Sequence, residues 1–147
     1  MANSLLAAVA YHLGQQSGVT DLVSTRIYKS HIPQRDSWPA IVLHEIALVP
    51  GYYQAAADGI IEARVQVDCW ATTHSSAESI REAVYDVTAG KPASTIGRSG
   101  STVSILDMEV ENTAVEQLPP DDGGQVGDFR GRLDLVIKYR RTAPSYS

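Results

Sequence analysis

The stretch QVDCWATTH, residues 66 to 74, brings together the residue types of a cysteine nucleophile: Cys69, an acid beside it at Asp68, and His74 five positions on. A thiol serves as a nucleophile only when a base takes its proton and an oxyanion site receives the developing charge. The residues leading into the stretch argue against that use. In IIEARVQVDCW, Ile61, Ala63, Val65, Val67 and Cys69 fall on one face, and Glu62, Arg64, Gln66 and Asp68 on the other. That two-residue period belongs to a half-buried strand. Cys69 then points inward and Asp68 outward, on opposite sides of a sheet, and no glycine elbow surrounds the cysteine. We read Cys69 as a small core hydrophobe and assign no catalytic residue.

Other candidate groups also lack a site. His12, His31, His44 and His74 show no metal-ligand spacing, and a lone cysteine can form neither a multi-cysteine zinc site nor an internal disulfide. The glycine-rich loop DDGGQVGD runs from strand to strand, so no helix N-terminus stands ready for phosphate, and its acids would repel one. Asp121 and Asp122 are adjacent in a polar turn, without the fixed, water-excluded setting that tunes a carboxylate pair. Neither metal nor cofactor is expected.

The positions around these groups set the architecture. Leu5, Leu6, Val9 and Leu13 recur at helical spacing behind a cap at Asn3 or Ser4, with Gly14 and Gly18 where the helix should stop and TDLVS as a turn. Ala40 to Leu48, between Pro39 and Pro50, reads as a long strand, and residues 60 to 70 as a second. Ser75 and Glu78 have the capping-box spacing for a helix whose stripe is Ile80, Ala83, Val84 and Val87, ended by Gly90 and Pro92, which leaves His74 in an exposed turn. In STVSILDMEVENTAVEQL the inward set changes phase near Ile105 and Leu106, as a β-bulge would produce. GDFRGRLDLVIKYRR alternates again, with Leu133, Leu135, Ile137 and Tyr139 on one side. The expected fold class is α+β: an antiparallel four-stranded sheet with two helices packed on one face, in a single domain over 1–147 with 142–147 as a frayed tail. The other sheet face, with Glu62, Arg64, Asp68, Arg132 and Lys138, should be exposed.

At 147 residues, with 44% hydrophobic and 20% charged residues, the chain reads as one soluble globular domain. Its apolar runs fall short of the roughly 20 residues a membrane span needs. No Lys or Arg precedes the apolar N-terminal part, so the positive region of a secretory signal is missing and a mature cytosolic protein is expected. Seventeen acids against twelve bases, net −5, argue against a protein whose main task is gripping phosphates. The charges are segregated. Seven acids and no base lie between Asp107 and Asp128, whereas five bases and only Asp134 lie between Arg130 and Arg141. Two strand faces pairing across a hairpin explain this, and so does a polarised surface that docks another protein. Tyr52 and Tyr53, in a Gly- and Ala-rich loop with little core to enter, are further interface candidates.

Four stretches in order, LLAAVAYHLG, DLVSTRIYKSHIPQRDSWPAIVLHEI, ARVQVDCWATTHSSAESIREAVYDV and GDFRGRLDLVIKYR, give the chain a resemblance to the tail completion, or head-to-tail joining, proteins of long-tailed bacteriophages and gene transfer agents. The most telling parts are RIY with a downstream WPAIVL, and VQVDCW passing directly into a helix. The resemblance covers most of the chain and implies a structural virion protein, not an enzyme. It further implies a homo-hexameric ring, assembled in the host cytoplasm, that ends the tail tube, contacts the tail tube protein and joins the connector or neck proteins, with DNA passing through the lumen without sequence-specific binding. Such a ring needs two different complementary patches per subunit. Candidate ring contacts are Tyr52, Tyr53, Glu62, Arg64, Asp121, Asp122, Arg132, Lys138 and Arg140, with loops 49–59 and 118–127 toward neighbouring rings. Two rival readings stand beside it. One is a neck adaptor, connector stopper or minor tail subunit; the other is a small ligand-binding domain or enzyme, which a pocket lined by His44 and Cys69 would support.

Overall fold

The computed structural model describes residues 5–30, 38–53, 56–117 and 128–140. The elements run α1 (Leu5–Gly14), α2 (Ser17–Val23), β1 (Ile27–Lys29), β2 (Ala40–Tyr53), β3 (Ala56–Ala71), α3 (His74–Thr88), β4 (Ser94–Ile96), β5 (Val103–Gln117) and β6 (Phe129–Arg140). The strands form one curled six-stranded sheet in the order β1-β2-β3-β6-β5-β4. β1 runs parallel to β2 and every other pairing is antiparallel.

This corrects the expected four antiparallel strands and two helices. β1 and β4 have three residues each, too few for alternation to register in the sequence. They are edge strands formed because longer neighbours offer unpaired backbone groups. α2 replaces the expected TDLVS turn. Its Gly18 stands near the helix start with open space around it, and Val19 and Val23 are buried, so packing outweighs the weak helix propensity of glycine and valine.

The alternation in β3 and β6 holds as read. Val65, Val67 and Cys69 on β3, with Leu133, Leu135 and Ile137 on β6, are fully or almost fully buried. They face α1, α2 and α3 in one continuous core that also takes in Ile41, Leu43, Ile80 and Met108. Each large aliphatic side chain removed from water there contributes about 1.5–3 kcal/mol. Gly131 of β6 lets α3 approach closely: a Cβ at that position would lie 2.9 Å from the Ala77 carbonyl oxygen and 3.1 Å from Arg81 Cβ. The register of β5 against β6 shifts between Ile105 and Asp107, the expected bulge, and again between Val110 and Asn112.

α3 starts earlier than the Ser75 capping box. Thr73 is the N-cap, and its side chain accepts a hydrogen bond from the Ser76 backbone N–H at 3.2 Å. A hydroxyl two residues upstream therefore takes the free donor, and His74 becomes the first helical residue. Gly90, at φ +66, follows the helix end in the left-handed conformation that glycine adopts without penalty.

β2 also runs further than expected. It continues past Pro50 to Tyr53 and pairs with β3 down to Tyr53↔Ala56, so the tyrosines stand in a hairpin arm and not in a loop from 49 to 59. Its register shifts between Glu45 and Ala47 and between Pro50 and Tyr52. Among the described residues β1 flanks β2 only from Ile41 to Leu43, so Pro50 lies on an edge strand next to a register shift, the setting in which a sheet tolerates proline.

Candidate functional site: the uncovered sheet face

Side chains on the sheet face away from the helices are mostly charged, and register decides which of them meet. Arg64 of β3 reaches across β6 to hydrogen-bond Glu111 of β5, and its other nitrogen lies 4.0 Å from Glu62. Glu111 sits where β5 slips register, and the extra residue aims it at Arg64. Bonding to Glu111 holds the Arg64 guanidinium still more firmly in its charged form. Arg130 donates to Glu116 at 2.8 Å and holds that carboxyl below the usual carboxylate range. Arg132 stands 3.6 Å from Asp134. Lys138 lies directly between Glu62 on β3 and Asp107 on β5.

The acidic and basic segments of the sequence are thus next-door strands, and they meet within one sheet. β6 is flanked by β3 and β5, so its bases lie on the face and not on a sheet edge. Of the expected contact residues, Glu62, Arg64, Arg132, Lys138 and Arg140 share this face; Lys138 and Arg140 are exposed and the other three half-buried. Tyr52 and Tyr53 lie at the far end of the β2–β3 arm, opposite Ala57 and Ala56. Asp121, Asp122 and the rest of 118–127 lie outside the described residues.

Asp68 corrects the expectation of an exposed acid: it is only 2% exposed. Its neighbours on the face are Val42 and Arg132 across the ladder and Gln66 and Trp70 along β3. Gln66 donates to both carboxylate oxygens at 2.9 and 3.1 Å, and His44 Nε2 lies 3.5 Å away. Loss of water around the carboxyl pushes its pKa up, opposed by the Gln66 bonds and by the charges of Arg130, His44 and Arg132. Trp70 packs on Trp38 with ring centroids 5.1 Å apart, and the Arg130 guanidinium lies 5.7 Å over the Trp70 ring. This stack closes one end of the face. The sequence carried no signal for it, because its members come from three separate segments.

The nucleophile candidates are held apart. Cys69 is fully buried on the helix face, where lost hydration pushes its thiol pKa far up. His74 is exposed and meets Phe129 edge to face at 5.8 Å. His44 stands on the opposite sheet face from Cys69, so no pocket joins the two. His12 Nε2 donates to the Val87 carbonyl at 3.0 Å, and burial lowers its pKa. Among the described residues, no three His, Cys, Asp or Glu groups gather closely enough to hold a metal, and no helix is long and apolar enough to cross a membrane. A shallow hollow of about 240 Å³ lies on the charged face, between Ile46, Arg64, Gln66, Glu111, Arg132 and Asp134. Its charges already satisfy one another.

One feature of the arm escaped the sequence reading. Ile46, Leu48 and Val49 are 58%, 42% and 53% exposed, although they continue the apolar run that starts at Ala40. A run of that length extending past Glu45 was the available signal.

The described residues thus form a sheet with helices on one face, paired charges on the other and an exposed apolar arm. The profile of the family "Tail completion protein gp17" matches residues 7–119, and the chain belongs to that family: it is a structural component of the bacteriophage tail and of the virion. A chain from the virion of a native gene transfer agent particle has the same fold, with a TM-score of 0.63 at 20% identity over 96% of each chain. No match was found among curated proteins.

Proposed function

We propose that copies of this subunit close into a ring of six at the end of the tail tube, where the ring stops tube growth and joins the tail to the connector or neck, with DNA passing through its lumen. The observation that carries this reading is the pairing of bases with acids on the uncovered face. Arg64, Arg130 and Arg132 each lie within 4.0 Å of a carboxylate of the same subunit. A wall of unpaired arginines would release counterions and grip each passing phosphate, whereas prepaired ones offer the duplex little. Lys138 and Arg140, exposed near the end of this face, are the bases we assign to steering neighbouring copies, together with Tyr52, Tyr53 and Glu62. Such charges orient association, and buried apolar contacts set its strength.

Electron microscopy of particles made without the protein tests the reading. Overlong tails, or heads and tails that fail to join, are expected. Normal tails beside unfilled heads would instead make it a connector stopper. Charge reversal at Lys138 and Arg140 should lower the yield of joined particles without unfolding the subunit; a normal yield would remove those two residues from the contact.

A further inference from the structure

We propose that the ring closes edge to edge, with the outer edge of β2 on one copy, at Ile46, Leu48 and Val49, against the stretch Glu109–Gln117 of β5 on the next. The inference rests on the ring reading above and names the surfaces that make it. Among the described residues both ends of the sheet are only partly covered. β1 covers β2 only along Ile41–Leu43, and β4 covers β5 only along Val103–Ile105, with one further bridge from Lys91 to Met108. Among the described residues, β2 beyond Leu43 and β5 beyond Met108 therefore pair on one side alone.

The two edges are unlike, as a cyclic contact demands: each subunit must offer two different patches that complement one another. Their charges match. Exposed Lys29 lies on the β1–β2 edge, whereas the β5 stretch carries exposed Glu109 and no base, its Glu111 and Glu116 being already paired with Arg64 and Arg130 of the same subunit. Their apolar content matches too. Among the described residues, three of the four exposed large hydrophobic side chains lie on the β2 arm, and Val110 and Val115 are only half-buried on β5 beside exposed Ala114. Burying the arm on a sister copy removes the exposed apolar side chains of Ile46, Leu48 and Val49 from water.

The cross-linking test exploits the single native cysteine, which is fully buried and leaves engineered thiols uncontested. Val49→Cys and Ala114→Cys are combined, both on the uncovered side of their strands. The purified protein and tails assembled in cells are treated with a short bis-maleimide, with circular dichroism confirming the fold. A covalent ladder ending at the ring's copy number is expected, and neither single variant should give one. If native mass spectrometry shows rings that the edge pair does not link, while a Glu82→Cys and Asp134→Cys pair does, the edge assignment is overturned and the ring stands. If no rings form in solution or on tails, the ring reading fails with it. As a second measure, Leu48→Asp should reduce ring formation roughly tenfold or more with the fold intact; unchanged assembly would overturn the proposal.

Discussion

The two halves of β2 are built from the same kind of residue and meet opposite fates. Ile41 and Leu43 lie between β1 and β3 under the helices and are fully buried, whereas Ile46, Leu48 and Val49, a few residues on, are exposed. Side-chain type does not decide this. The first half is flanked by β1 along Ile41–Leu43; β1 ends at Lys29, and past that point no described element covers the strand. The same transfer free energy is therefore used twice, once to fold the subunit and once, in our reading, to join subunits.

Substitutions on the two halves sharpen that contrast. Leu43→Ala should cost about 2–5 kcal/mol in urea denaturation, because it opens a cavity in a packed core. A value near zero would mean that the first half is no more committed to folding than the second. Gly131→Ala tests the helix cover: the new Cβ would push against the Ala77 carbonyl, and a loss of about 1–3 kcal/mol is expected. Thr73→Ala removes the cap of the covering helix and should cost about 1 kcal/mol.

Asp68 probes the uncovered side through pH. Burial raises its folded-state pKa above the unfolded value, so its ionised form weakens the fold at neutral pH, and this cost disappears as pH falls through the folded pKa. Asp68→Asn should therefore be more stable than the native protein at pH 7, with the difference shrinking on acidification. A difference that grows on acidification would show that Arg130 and Arg132 outweigh the lost hydration. The smallest stability effect belongs to the arm. Leu48→Ala should stay within about 0.5 kcal/mol, since the side chain leaves little environment behind; a loss near that of Leu43→Ala would erase the contrast.

What could be read from the chain tracks how local its causes are. The alternation of β3 placed Cys69 inside because strand period is a property of consecutive residues, and the phase change at Leu106 showed the bulge for the same reason. β1, β4 and α2 were missed because each depends on a neighbour: two three-residue strands exist only against longer ones, and a glycine-bearing helix exists only because Val19 and Val23 are buried. The cap of α3 was misplaced because Thr73 and Ser75 both offer a suitable hydroxyl, and the backbone path chose between them. The charged face was legible as a set of residues but not as pairs. Glu111 reaches Arg64 only through the register slip of β5, and Asp68 is buried only because Trp70, Gln66, Val42 and Arg132 close around it. Asp121 and Asp122 lie outside the described residues.

Pro50 on the arm has a consequence for the subunit before any partner arrives. A proline offers no N–H to an incoming strand, and the two slips at either side of Ala47–Pro50 break the spacing that a stacked copy would need to match. Such an edge cannot template endless layers of itself. An edge interrupted in this way is a poor start for cross-β stacking, while its exposed apolar side chains still suit one geometrically defined neighbour.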